Sequence, residues 1–272
     1  MLLAIDIGST HITLGVFSDA VLLHSSRLQS RREQTSDEYA LALRGLLELE
    51  NVPCDAVDQC VLVSVVPRLT PALVGAVRRA FRREPLVVGP LTDVGLVLSV
   101  ERPGDVGADR IVNVAAVRQR ALEEAGTSGA GRGHDLGFGA IVVDLGTATT
   151  LDCVSPTGEF LGGVIAPGMR ASFEGLIDRT AKLPDIELSA PPSALGKNTI
   201  DCLRSGVVYG HAAVIDGLVA RLRAELPFHC RVLATGGLAT VIAPHARSIE
   251  AVDPDLTLSG LALIHRRLLA RA

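Results

Sequence analysis

The sequence predicts an α/β protein built from two similar units facing each other across a central cleft. Three observations predict it. The stretch "LLAIDIGSTHITLGVFSDAVLL" (residues 2–23) and the stretch "VVDLGTATTLDCVSPTGEFLGG" (residues 142–163) have one shape. In each, an apolar run meets an Asp, a Gly and a group of hydroxyls, and two more strand-like runs follow. This weak internal repeat, offset from Asp6 to Asp144, points to duplicated α/β units. The chain has 272 residues, 48% of them hydrophobic, enough for one large or two medium domains with a sizeable core.

The elements follow in order. Residues 2–5, 12–17 and 20–28 read as strands, with Ser18 and Asp19 turning between the second and third. Thr35, Ser36 and Asp37 open a helix over "DEYALALRGLLELE". "QCVLVSVVP" (59–67) is a buried strand stopped by Pro67, residues 69–83 an amphipathic helix, 85–88 a short strand and 107–126 a long helix. The first unit is expected to span residues 1–117 and the second 118–272. Residues 126–139, "GTSGAGRGHDLGFG", are rich in Gly and poor in large apolar residues, so a mobile loop or linker is expected there. Strands follow over 140–143, 149–155 and 159–168, with a turn at Pro156, Thr157 and Gly158. Helices are expected near 169–180 and 198–226, a strand over 230–237 and a closing helix over 256–269.

Composition excludes several classes. A formal net charge of -4 argues against a general nucleic-acid binder, which needs a basic field. The cysteines (Cys54, Cys60, Cys153, Cys202, Cys230) are scattered and odd in number, with no CxxC pair, and read as buried thiols in a reducing compartment. "MLLAID" has no basic region and meets Asp6 at once, so no signal peptide is read there. No uncharged apolar run reaches membrane-spanning length. A soluble cytoplasmic protein with no membrane partner is expected. Neither GxGxxG nor GxxxxGK[ST] occurs.

The repeated signal carries chemistry. Gly8 and Gly146 allow sharp turns that present backbone N–H groups. Ser9, Thr10 and Thr13 in one turn, and Thr147, Thr149 and Thr150 in the other, add hydroxyl donors suited to phosphate oxygens. A carboxylate suits phosphate only with a cation between them, so Asp6 and Asp144 read as cation-holding groups, direct or through water. One copy alone would be an ordinary turn at a strand end; two copies favour phosphate binding. "ATGGLA" (234–239) adds a strand ending in Thr235, Gly236 and Gly237 before a helix N-terminus. Together these elements describe a nucleotide held between two lobes.

The constellation resembles the acetate and sugar kinase/Hsc70/actin superfamily, and more narrowly the type III pantothenate kinases. The narrower resemblance is carried by "DIGSTH" (6–11), "SVVP" (64–67), "GADRIVN" (107–113), "DLGTATT" (144–150), "GGVIAPG" (162–168), "GKNT" (196–199) and "ATGG" (234–237), in family order over nearly the whole chain. It implies two duplicated ribonuclease H-like lobes, the actin-like ATPase fold, and transfer of the ATP γ-phosphoryl group to the primary hydroxyl of pantothenate in coenzyme A biosynthesis. By resemblance, Asp109 is the base, and Gly107, Ala108, Asp109, Arg110, Thr199 and Val100 line the pantothenate site. Asp6, Ile7, Gly8, Ser9, Thr10, His11, Ile12, Thr13, Thr147, Gly236 and Gly237 would meet ATP. Asp6 would act with Mg²⁺, and Asp144 would hold the monovalent cation, K⁺ or NH₄⁺. A homodimer is implied as well.

The chain departs from the family pattern in places. Its first loop usually reads Asp-Ile-Gly-Asn-Thr-Asn, and here Ser9 and His11 replace the two amides. A Tyr common shortly before the GxDR segment stands here as Val100. Residues 126–139 exceed the usual length. The alternatives to a kinase are a non-catalytic nucleotide-binding regulatory relative and a phosphatase of the same superfamily. Retention of Asp6, Asp109, Asp144 and the Gly pair favours the enzyme, since a binder has no need of a base.

Overall fold

Apolar runs lay down two sheets, and helices cover them. In the computed structural model, residues 1–124, 126, 135–180 and 183–271 are described. The expected loop at 126–139 therefore falls largely outside the described residues.

The first sheet takes β1 (Leu2–Ile7), β2 (His11–Ser18), β3 (Val21–Gln29), β4 (Gln59–Ser64) and β5 (Leu86–Val88) in the order β3-β2-β1-β4-β5. β1, β2 and β3 pair antiparallel; β4 and β5 continue parallel to β1. Helix α1 (Ser36–Leu49) links β3 to β4, and α2 (Thr70–Phe81) links β4 to β5. The expected start of α1 takes the form of a capping box: the Thr35 side chain accepts from the Glu38 N–H, and the Glu38 carboxylate accepts from the Thr35 N–H. Leu3, Ile5 and Ile7 of β1 join Tyr39, Leu43, Leu73 and Val77 in one apolar cluster beneath these helices. The opposite face of β1 therefore carries Asp6. Asp19 takes the left-handed conformation (φ 52°) in the predicted turn.

The second sheet takes β6 (Val97–Leu98), which precedes α3 (Ala108–Glu124) in the chain, and then β7 (Gly139–Leu145), β8 (Ala148–Val154), β9 (Glu159–Pro167), β10 (Cys230–Thr235) and β11 (Ala251–Val252). Its order is β11-β10-β7-β8-β9-β6. β7, β8 and β9 pair antiparallel, while β10 and β11 run parallel to β7. Three antiparallel strands and two parallel ones thus recur in the same order, as the internal repeat predicted. Helices α4 (Met169–Ile177), α5 (Thr199–Glu225) and α6 (Ala239–Ile242) belong to this sheet, and α7 (Leu256–Leu269) closes the chain. Ile141, Val143 and Leu145 face Val208, Ala212, Ile215 and Val219 of α5 in a second apolar cluster, which puts Asp144 on the other face.

The chain divides into two compact units. The first holds Met1–Val94, Glu101–Ala116 and Leu256–Ala272; the second holds Gly95–Val100 and Val117–Asp255. Each unit includes a segment that lies apart from the rest of it in sequence. Leu256–Ala272 belongs to the first unit because α7 packs on β1 and β4. Gly95–Val100 belongs to the second because β6 pairs with β9. Sequence pattern missed β6 and β11, which are two residues long and carry too little periodicity to register.

Cys60, Cys153 and Cys230 are buried as expected, and burial pushes the thiols of Cys60 and Cys153 up to about 12. Cys202 is exposed, contrary to the expectation of buried thiols, because it lies on the outward side of the first turn of α5. No described helix is long and apolar enough to cross a membrane.

Candidate active site

In the first unit the register sets Asp6 opposite Thr13 and Ile7 opposite Ile12. Cross-strand partners share a face, so the carboxylate and the Thr13 hydroxyl stand on one side of the hairpin. Both residues are half-buried. The turn between them is closed by the Gly8 N–H, which donates to the His11 carbonyl at 3.0 Å. A Cβ at Gly8 would sit 2.9 Å from that same oxygen. Ser30, just past β3, braces the turn twice. Its hydroxyl donates to the Gly8 carbonyl at 2.6 Å, and its N–H donates to the Thr10 carbonyl at 2.9 Å. Ser9, Thr10 and His11 are exposed. Ile7 and Ile12 are fully buried, so within the run 6–13 these two can offer a ligand only their main chain.

In the second unit Asp144 pairs with Thr150 and Leu145 with Thr149. Thr147, at the tip, is exposed. Gly168 lies so close that a Cβ there would run into the Thr147 carbonyl oxygen. Gly236 adopts φ 93°, and a Cβ on it would come within 2.5 Å of Asp144 Oδ1 and 2.7 Å of the Leu145 backbone. The Leu238 N–H donates to the Leu145 carbonyl at 3.2 Å, fixing this approach. Asp144 and the Gly pair, far apart in sequence, are thereby brought together, with Gly237 exposed beside them.

Two expectations for this unit need correction. Thr149 does not present its hydroxyl to a ligand: it is fully buried, and its Oγ1 lies 2.9 Å from His211 Nε2. Its pairing with Leu145 turns it into the apolar layer, and the sequence gives hydroxyls on both faces the same appearance. The helix after "ATGG" is the single turn α6, too short to supply a dipole-based anion site. The role of the Gly pair here is close backbone approach instead. Thr150 faces the other way and donates to the buried Asp152 at 3.1 Å.

The "GADR" segment opens α3. Asp109 lies in its first turn, and its Oδ1 accepts from the Arg110 N–H at 2.8 Å. A Cβ at Gly107 would lie 2.6 Å from that oxygen, so a larger residue there would push the carboxylate from this position. Burial raises the Asp109 pKa above the usual carboxylate range; the Arg110 N–H and guanidinium oppose the shift without cancelling it. Ala108 is buried and Arg110 half-buried. Val100 is half-buried and faces Gly162 of β9, where a Cβ would meet it at 3.6 Å. Thr199 is exposed as the first residue of α5, just after the Asn198 cap, whose side chain accepts from the Asp201 N–H at 2.9 Å. Among the described residues, no group of three or more His, Cys, Asp or Glu could by itself hold a metal ion.

Sequence reading did not single out Ser30, Asp152 or His211. For His211 a signal existed: it occupies a helical core position with Val208, Ala212 and Ile215 as apolar neighbours. Nothing in "RLQSRR" marks Ser30.

Comparison with known proteins gives a consistent picture. A family model described as type III pantothenate kinase matches residues 2–221. Proteins called type III pantothenate kinase from Moorella thermoacetica and Myxococcus xanthus are 43% and 42% identical to this chain over 267 residues. The alignments cover 98% of this chain and 99% and 98% of those proteins. Among solved structures, a conserved Baf family protein from Campylobacter jejuni is similar with a TM-score of 0.58 at 19% identity, covering 98% of this chain and 99% of the other. Component A of (R)-2-hydroxyglutaryl-CoA dehydratase from Acidaminococcus fermentans is similar with a TM-score of 0.54 at 14% identity, covering 98% of each chain. At these identities the two structures speak for the fold, which is that of the two-lobed actin-like ATPases.

Proposed function

The chain belongs to the type III pantothenate kinase family, and from that premise we propose that it transfers the γ-phosphoryl group of ATP to the primary hydroxyl of pantothenate. The products are 4'-phosphopantothenate and ADP. The pantothenate oxygen forms a bond to the γ-phosphorus, the bond to the β–γ bridging oxygen breaks, and the hydroxyl proton passes to a base.

Asp109 is that base. The observation that carries this role is the fit of its carboxylate over the bare Gly107, in surroundings that raise its pKa. A carboxylate whose pKa burial has raised takes a proton more readily than an exposed Asp. Gly107, Ala108 and Arg110 line the acceptor site with Thr199 and Val100. Arg110 offers donors to the pantothenate carboxylate or hydroxyls. Ser9, Thr10, His11, Thr13 and Thr147, with the main chain of Ile7, Gly8, Ile12, Gly236 and Gly237, meet ATP.

Asp6 and Asp144 are hard oxygen donors, half-buried at strand ends, and so suit cations; the family resemblance assigns Mg²⁺ to Asp6 and a monovalent cation to Asp144. Mg²⁺ characteristically takes one or two carboxylates together with substrate phosphates. Asp6 would hold Mg²⁺, directly or through water, and Asp144 would hold K⁺ or NH₄⁺. These cations supply charge that offsets the phosphates. The protein acts in the cytoplasm as a homodimer, without nucleic acid, and sedimentation of the purified chain checks the dimer.

The test is turnover of pantothenate with ATP, Mg²⁺ and K⁺, followed by ADP release and the mass of the product. Asp109→Asn is expected to lower kcat by about 10²–10⁴-fold while circular dichroism and Tm stay near wild type. The wild-type rate should rise with pH along a limb lying above the usual Asp range, because Asp109 must lose its proton to act. Nucleotide binding without turnover would favour the regulatory reading. Full activity of Asp109→Asn would remove the base assignment.

A further inference from the structure

The layer of β8 that faces α5 consists of Thr149, Leu151 and Cys153, with Leu151 at 0% exposure and Cys153 at 3%. Thr149 is as buried as Leu151, and His211 across from it is 8% exposed. A hydroxyl and an imidazole in such a layer lose their water, and their bond of 2.9 Å recovers that loss only in part. Two hydrocarbons of similar volume would serve stability as well or better. What the polar pair adds is direction. Apolar contacts tolerate small slides, whereas a hydrogen bond fixes one atom of α5 against one atom of β8.

The place of this bond matters for the site. Thr149 is directly opposite Leu145, at the base of the turn that carries Gly146 and Thr147. His211 lies on the helix that begins at Thr199, roughly 18 Å along its axis. Leu145 is held from its other side by the Leu238 N–H, so the base of the turn is clamped from β8 and from the Gly236 loop.

We propose that His211, through its hydrogen bond to Thr149, is a positioning residue that fixes the Gly146–Thr147 turn in the place where it meets ATP. This rests on the kinase reading above. His211 touches neither substrate nor reacting atoms. Its hydroxyl partner is a structural relay, and α5 is the rigid body against which the turn is set.

The experiment measures ATP affinity directly by titrating a fluorescent ATP analogue into the purified full chain, alongside Tm and the KM values for ATP and pantothenate. Thr149→Val and His211→Leu should each weaken nucleotide affinity by about fivefold to tenfold, the loss of one buried hydrogen bond. Thr149→Ser, which keeps the hydroxyl, should return it to within about twofold. The double variant Thr149→Val/His211→Leu separates positioning from packing. With no polar group left orphaned its Tm should recover toward wild type, while its ATP affinity stays low. Recovery of affinity together with Tm would overturn the proposal, as would single variants that lose Tm but bind ATP as well as wild type. Where Thr149→Val does not fold, His211→Gln against His211→Leu gives the same contrast: Gln should keep affinity and Leu should lose it. If wild type binds ATP but leaves pantothenate unchanged, the kinase reading fails while the affinity ratios still decide the role of His211. If wild type binds no ATP, both fall.

Discussion

The two acidic turns use one backbone plan and two kinds of support. Each ends a buried strand with an Asp paired across the hairpin to a Thr, Asp6 with Thr13 and Asp144 with Thr150. The first turn spans the four residues 8–11 and is braced by hydrogen bonds from Ser30 to its carbonyls. The second spans the three residues 146–148 and adds close approach to its hydrogen bonds: Gly168 against the Thr147 carbonyl, Gly236 against Asp144, with the Leu238 N–H on the Leu145 carbonyl. Beneath the first turn lie Ile7 and Ile12, both apolar. Beneath the second lies the Thr149–His211 pair. Both hairpins thus keep an acid and a Thr on one face, while the groups that hold the two turns in place differ.

The largest expected effect tests whether the two acids also do different work. Asp6→Asn should lower kcat/KM by about 10²–10³-fold and shift the Mg²⁺ concentration needed for half-maximal rate upward. Asp144→Asn should leave the Mg²⁺ dependence near wild type and erase the advantage of K⁺ over Na⁺. Initial rates across Mg²⁺, K⁺ and Na⁺ titrations report both. Identical responses of the two variants would break the comparison, since the turns would then hold the same cation. A wild-type rate indifferent to replacing K⁺ by Na⁺ would remove the monovalent role from Asp144.

The second effect concerns the supports. Gly236→Ala forces a side chain into φ 93° and onto Asp144 Oδ1 and the Leu145 backbone. Strain and clash together should lower stability by about 3 kcal/mol, with loss of activity. Gly8→Ala meets a single carbonyl at 2.9 Å without a left-handed φ, and should lose about 1 kcal/mol. Urea unfolding of both variants measures the difference. Equal losses would mean that close approach is no more demanding than the hydrogen-bonded brace, and the contrast between the turns would disappear.

Much of this was legible in the residues. Apolar runs ending in an Asp, in "LLAIDI" and "AIVVDL", placed both strands; the structure then put both acids on the face opposite the helical core, because a strand has only two faces. The capping residues of α1 and the left-handed turn at Asp19 were local, and local chemistry is what a sequence states openly. Three things were hidden. Thr147, Thr149 and Thr150 look alike as letters, and only register separates the buried one from its neighbours. Gly236 owes its identity to Asp144, a partner reached through the β10–β7 pairing rather than along the chain. The assignment of α7 to the first unit depends on packing against β1 and β4, and periodicity says that a helix has an apolar face without naming what covers it.

The smallest effect probes the first turn through Ser30. Ser30→Ala removes the bond to the Gly8 carbonyl and keeps the main-chain bond from residue 30 to Thr10. One brace of two remains, so the turn should survive with a stability loss of about 1 kcal/mol. KM for ATP should rise by about twofold to fivefold with kcat nearly unchanged. A neutral bond to a partly exposed carbonyl has no larger contribution to give, since water can take the place of the lost hydroxyl. The second turn offers no such replacement, because water cannot stand in for the space that Gly168 leaves beside the Thr147 carbonyl. Steady-state kinetics of Ser30→Ala beside Gly168→Ala therefore sets a graded loss against an all-or-none one. If Ser30→Ala abolished activity as fully as Gly168→Ala, the first turn would have to be as rigidly built as the second, and the tolerance attributed to hydrogen-bonded support would be wrong.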